Sequence, residues 1–288
     1  MEVWFYLALL SAGVVAVLNL FIKDLGGKID EYAAGFIRNL VILPALWMFL
    51  FFAGIPSVDP IFWKYILIML PFEVLLVTFY QKAFKLSPLS LIVPILALSP
   101  IFIALLSFLL FKENLTLYHL LSLIFFVSGV YVLNLRSGSR NPLAPLESLF
   151  KDKGVFYMLL VAIILGVTVS LGKRAIIASS PEFFSAVYYS FVSILLFPIY
   201  KLKSKVKIRE FIKHKKSLLI LGICTPINAL LVFYAFKTGP TAMVQAVTSI
   251  NILFSVILAG TFLKEKGIMK RILASMLIVI GAAIIILK

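Results

Sequence analysis

Polar and apolar positions along this chain fall in blocks. Ten apolar runs occupy 3–22, 32–53, 61–80, 88–111, 116–135, 155–171, 183–200, 218–236, 240–263 and 268–287, with charges, prolines or glycines at their ends. Each is close to the roughly 20 helical residues that cross a hydrocarbon core. None alternates with the two-residue period of a barrel strand whose other face meets a polar lumen. Helices satisfy their own backbone groups where water is absent, so the pattern predicts ten membrane-spanning helices. Two polar connections stand out. RSGSRNPLAPLESLFKDKG, at 136–154, is rich in Pro, Ser and Gly, and KLKSKVKIREFIKHKK, from Lys201 to Lys216, is a basic surface loop. The first divides the chain into a five-helix unit at 1–135, a linker at 136–153 and a second five-helix unit at 154–288.

The units repeat one another. AFKLSP at Ala83 returns as AFKTGP at Ala235, a shift of 152 positions. At that shift Lys85 and Pro88 pair with Lys237 and Pro240, and the register then holds without a gap. Phe102 pairs with Phe254, Leu106 with Leu258, Lys112 and Glu113 with Lys264 and Glu265, Leu121 with Leu273, and Gly129 with Gly281. In the first runs a shift of 151 is better and pairs Tyr6 with Tyr157, Asn19 with Ser170 and Lys23 with Arg174. Five spans per unit is an odd number, so the second unit enters the membrane upside down relative to the first. The expected fold is an all-α integral membrane protein with ten transmembrane helices arranged as two inverted five-helix repeats. That construction is common in secondary transporters, which alternate a central site between two faces.

Phe111-Lys112-Glu113 followed by Gly129-Val130, and Lys264-Glu265 followed by Gly281-Ala282, resemble the end-of-repeat signature of the drug/metabolite transporter superfamily. Arg38 early in the second run and the proline that opens the fourth fit the same pattern. The whole chain resembles a ten-helix EamA-type transporter with two EamA repeats. One departure is that Tyr189 or Val192 stands near where the second repeat would carry an arginine. The resemblance implies export of amino acids, metabolites or drugs, or exchange of sugar derivatives, without naming a substrate. It also implies a central cavity lined by runs including 1, 3, 4, 6, 8 and 9.

Composition agrees with a lipid environment. Hydrophobic residues make up 62% of the 288 and the mean hydropathy is +1.12, against about 45–50% apolar in soluble domains. The net charge of +15 sits in loops between apolar runs, which suits anionic headgroups at the Lys201–Lys216 loop better than nucleic acid. Of the basic residues, Lys64, Lys112, Lys173, Arg174, Lys237 and Lys288 fall on one side and Arg38 lies within a span; all others follow runs 1, 3, 5, 7 and 9. Positive charge accumulates on the cytoplasmic side, so this bias places both termini outside a cell membrane, although relatives are often drawn with cytoplasmic termini. The N-terminus has no basic segment ahead of its first apolar run, so that run reads as a retained span.

The same inventory limits the chemistry. Cys224 is alone, and His119 and His214 have no neighbours at metal-ligand spacing, so no metal or cofactor is expected. No GxxxxGK[ST] sequence is present, which leaves a proton gradient, another solute gradient or facilitated diffusion as the source of energy. An enzyme would require a convergent nucleophile, base or metal set, and none is visible. Monomer and homodimer are equally compatible with the sequence.

Polar residues inside the runs are the candidate site. Glu73 lies midway along the third run, where a carboxylate costs several kcal/mol, roughly 2.5–3.5 on insertion scales. It reads either as a proton-coupling or amine-binding group, or as a neutral acid held by a neighbouring helix. Arg38 reads as snorkelling to headgroups, pairing with Glu73 or clamping a carboxylate. Asn19 and Ser170 are repeat-related. Asn228, Gln245 and Thr248 cluster with Thr225 and Asn251 in runs 8 and 9, and either line the cavity or tie helices together. Tyr80, with Phe79, Tyr188, Tyr189, Phe233 and Tyr234, is a candidate aromatic wall. Pro94 and Pro100 are expected to interrupt run 4, Pro71 run 3 and Pro226 run 8. Gly129 and Gly281 read as close-packing positions. Exchange of phosphorylated or nucleotide-linked solutes is an alternative that demands several inward cations, and a membrane-embedded enzyme or scaffold is the alternative outside transport.

Overall fold

A computed structural model describes residues 2–112, 117–134, 151–265 and 267–286. These are overwhelmingly helical, and none of the described residues forms a strand. The first unit contains α1 (Val3–Gly26), α2 (Glu31–Val41), α3 (Leu43–Ala53), α4 (Ile61–Leu86), α5 (Leu89–Ile92), α6 (Ser99–Phe111) and α7 (Leu117–Asn134). The second contains α8 (Lys153–Ile177), α9 (Pro181–Lys203), α10 (Lys215–Thr238), α11 (Thr241–Thr248), α12 (Asn251–Phe262) and α13 (Ile268–Ile286). Among the described residues, eight stretches are long and apolar enough to cross a membrane. The runs at 116–135 and 268–287, which lie partly outside the described residues, correspond to α7 and α13, of 18 and 19 residues.

Local chemistry sets the helix ends. Asp30 opens α2 by accepting from the Tyr32 and Ala33 amides, and Asp152 opens α8 by accepting from those of Gly154 and Val155. Ser180 caps α9, with Pro181 at the first helical position, where the missing N–H is not needed. The repeated phrase forms the same corner twice. The Ser87 amide donates to the Ala83 carbonyl at 3.1 Å, and the Gly239 amide to the Ala235 carbonyl at 2.8 Å. A lysine then covers the open carbonyls of each helix end. Lys23 Nζ donates to the Phe84 and Ser87 carbonyls at 2.5 and 2.6 Å, and Lys173 Nζ to the Gly239 carbonyl at 3.1 Å. The sequence register pairs Lys23 with Arg174, but the matching contact belongs to Lys173, one residue earlier.

Runs 4 and 9 break at related positions. A 3₁₀ turn, Val93–Leu98, separates α5 from α6, and Ser249 and Ile250 separate α11 from α12. Pro94 and Pro100 accompany the first break. The second has no proline. There the Thr248 and Ser249 hydroxyls donate to the Val244 and Gln245 carbonyls at 2.7 and 2.8 Å, contacts of the kind that bend helices. Pro71 and Pro226 do not interrupt their runs as expected, since both lie inside the continuous helices α4 and α10.

Lys112 and Lys264, one at the end of each repeat, are the non-glycine residues with positive φ (55° and 53°) among those described. Beyond Lys264, the Glu265 carboxylate reaches the first unit. It accepts from the Leu89 and Ser90 amides at 2.8 and 3.1 Å and from the Ser90 hydroxyl, and pairs with Arg271 at 3.1 Å. Its repeat partner Glu113 lies outside the described residues.

The major helix contacts cross between units in matched pairs. Helix α1 packs along α10 and α12, as α8 packs along α4 and α6; α7 lies along α13, and α2 and α3 along α9. Gly129 permits the α7–α13 approach, because a Cβ there would lie 2.7 Å from Ile278 Cγ1 and 2.8 Å from the Ala274 carbonyl. Gly129→Val should therefore destabilise the protein by roughly 1–3 kcal/mol. Gly13→Ala, where nothing lies within 4 Å, should cause no loss. Unfolding temperatures in detergent measure both, and equal values for the two variants would refute the packing role.

Candidate functional site

A cavity of about 140 Å³ lies where α4 of the first unit meets α8, α9 and α10 of the second. Helical spacing presents its lining. Met69, Glu73 and Leu76 share one face of α4, and Leu165, Thr168, Val169, Gly172 and Lys173 form a stripe on α8. The remaining wall is aromatic. Phe184 stacks on Tyr188 (centroids 5.1 Å apart, 13° between planes), meets Phe233 edge-on at 5.0 Å, and Tyr189 stands 5.2 Å from Tyr188. Glu73, 8% exposed, is the carboxylate among these residues. Tyr188 and Tyr189 share the cavity lining with it. Lys173 lines the cavity while its ammonium holds the Gly239 carbonyl.

Of the residues proposed from sequence, Glu73 lines this cavity. Arg38 lies over the Tyr80 ring, 5.5 Å from its centroid. The Tyr80 hydroxyl donates to Asn19 Oδ1 at 2.8 Å, and Asn19 Nδ2 donates to the Ser255 hydroxyl at 3.0 Å. Arg38, Tyr80, Asn19 and Ser255 thus form one polar line through α2, α4, α1 and α12. Ser170 meets Ser107 at 3.1 Å, Asn228 accepts from Ser11 at 2.8 Å, and Gln245 donates to Ser99 at 3.3 Å. Thr248 bonds its own helix at Val244. All of these except Thr248 tie helices to one another, and none of them borders the Glu73 cavity. Among the aromatics, Tyr188, Tyr189 and Phe233 border it, whereas Phe79, Tyr80 and Tyr234 do not. Thr168, Gly172 and Phe184 were not singled out in the sequence, whereas Lys173, a span-end cation available to an anionic solute, does line the cavity. Spacing along α8 is the signal that would have found Thr168 and Gly172.

A profile of the EamA-like transporter family matches residues 3–135 and 152–287. The chain belongs to the EamA-like transporter family. Its two matched segments cover both repeats and exclude the polar connection between them. EamA-like transporters are membrane proteins of the transporter class, and the many long apolar helices of this member agree with a multi-pass protein. A crystal structure of another protein matches with TM-score 0.69 and 18% identity, over 99% of this chain and 95% of that one. At that identity the likeness concerns the fold. No curated protein matches the sequence.

Gly172 gives a direct test of this EamA cavity. A Cβ there would meet Met69 Cε at 3.5 Å and Phe184 Cζ at 3.6 Å, ordinary contact distances. Gly172→Ala should retain solute counterflow in proteoliposomes. Gly172→Leu should fill the cavity and reduce counterflow to the level of protein-free vesicles while the protein still elutes as a folded species. Full counterflow by folded Gly172→Leu would show that transport does not depend on this cavity.

Proposed function

We propose that the protein is a secondary transporter that exports a small organic solute by alternating access between two inverted five-helix units. The Glu73 cavity is the solute site and Glu73 the group that takes up and releases a proton. The observation that carries this reading is a buried carboxylate in an aromatic cavity whose walls come from both units. A rocking motion of one unit against the other separates α4 from α8, α9 and α10 on one face or the other, and so opens the cavity to alternate sides. An ionised carboxylate sealed in such surroundings has to be paired. Either a proton or the cationic end of a solute can satisfy Glu73, and the two compete for it. That competition couples proton entry to solute exit.

The cavity volume lies below the roughly 300–1,000 Å³ of drug-sized ligand sites, which favours a small cargo. Exchange of phosphorylated solutes fits poorly with a carboxylate in the wall and with Lys173 already engaged at Gly239.

Counterflow uptake of radiolabelled amino acids and amines by proteoliposomes tests the transport reading. Turnover of a solute into product with no flux would favour an enzyme instead. Glu73→Gln should keep the protein folded and remove the pH dependence of flux. An unaltered pH profile in that variant would reject Glu73 as the coupling group.

A further inference from the structure

Away from the cavity, two recesses meet beside the seam of α2, α3 and α10. One is an apolar groove of about 600 Å³ with Val41, Pro44, Ala45, Phe211, Leu219 and Ile223 among its lining residues. Its roof is the 3₁₀ helix Ile208–His214. The other, of about 430 Å³, is lined by Lys201, Lys205, Lys207 and Arg209 together with Tyr200 and Ser204. Ile208 lines both. Tyr200 and Phe211, one from each lining, have ring centroids 6.0 Å apart, so the basic recess continues into the apolar one.

The acids nearby already serve the backbone. Asp30 accepts from the Tyr32 and Ala33 amides and from the Ser204 hydroxyl at 2.5 Å. Glu210 accepts from the Lys207 amide at 3.1 Å. Lys201, Lys205, Lys207 and Arg209 line a recess beside an apolar groove at the end of membrane-spanning helices. Arginine and lysine suit phosphate oxygens, and basic pockets beside spans select anionic headgroups.

We propose that these joined recesses form a seat for an anionic phospholipid, with its phosphate among Lys201, Lys205, Lys207 and Arg209 and an acyl chain along the groove. The seat is independent of the transport cavity. A zwitterionic lipid offers the same chain but carries its own ammonium into the basic recess, so preference for net negative charge is the distinguishing property.

Native mass spectrometry of the full-length protein, titrated with phosphatidylglycerol and with phosphatidylcholine of identical chains, tests the seat. The wild type should retain phosphatidylglycerol at least about tenfold better. The triple variant Lys205→Gln, Lys207→Gln, Arg209→Gln alters exposed side chains and should lose that preference. Ala45→Trp, or Ile223→Trp if the first does not fold, should lower retention of both lipids. Equal retention of the two lipids by the wild type, or an unchanged preference in the triple variant, overturns the proposal. So does displacement of phosphatidylglycerol by inorganic phosphate alone at equal concentration, which would mark a phosphate site with no role for the groove.

Discussion

Peptide groups that leave a helix ladder inside a membrane have no water to turn to, and this protein meets them with side chains from other helices. Lys23 and Lys173 cover the carbonyls at the two AFKxxP corners, and Glu265 covers the amides that open α5. These contacts cover the backbone groups left open where runs 4 and 9 begin. The Lys173 contact also links frame to site, because the residue that holds the second corner borders the Glu73 cavity. Its stem contributes to the wall while its charge is anchored at the backbone.

The frame is duplicated and the chemistry is not. Glu73 corresponds to Thr225 by the 152 shift, and Tyr189 stands near the counterpart of Arg38. Where α4 meets α8, α9 and α10, the protein has a cavity. In the exchanged arrangement, among α10, α1, α2 and α4, the line of Arg38, Tyr80 and Asn19 occupies the interior. Two units built on one plan thus enclose, among the described residues, a recess whose carboxylate comes from the first unit alone.

Much of this frame was legible in the sequence, because lipid demands long apolar runs and because the repeated corner keeps its residue types. Glu73 was legible for the same reason, since an acid in an apolar run stands apart from its neighbours. Cavity-lining Gly172 and Phe184 were not, as small and apolar residues carry no signal within apolar runs. The polar character of Asn228 and Gln245 was visible, but their partners Ser11 and Ser99 are set by helix packing rather than by local spacing. The Lys173 contact at the second corner was not legible because two adjacent basic residues offer equivalent registers, and only the rotation of α8, about 100° per residue from its 3.6-residue turn, distinguishes them. The Glu265 cap depends on a contact 176 residues distant. The break in run 9 lacks a proline and is carried by hydroxyls that also occur in straight helices.

The crossed pairing of helices bears on the order of assembly. Helices α1, α4 and α7 have their main partners, α10, α8 and α13, in the part of the chain made later. During synthesis the first unit therefore enters the bilayer with its interior faces turned to lipid or to loosely associated neighbours. Among its buried polar groups, Asn19 has Tyr80 within its own unit, but its Nδ2 donates to Ser255 of the second unit. The fold is complete only when both units are present, and a chain ending at the linker lacks the main partners of α1, α4 and α7.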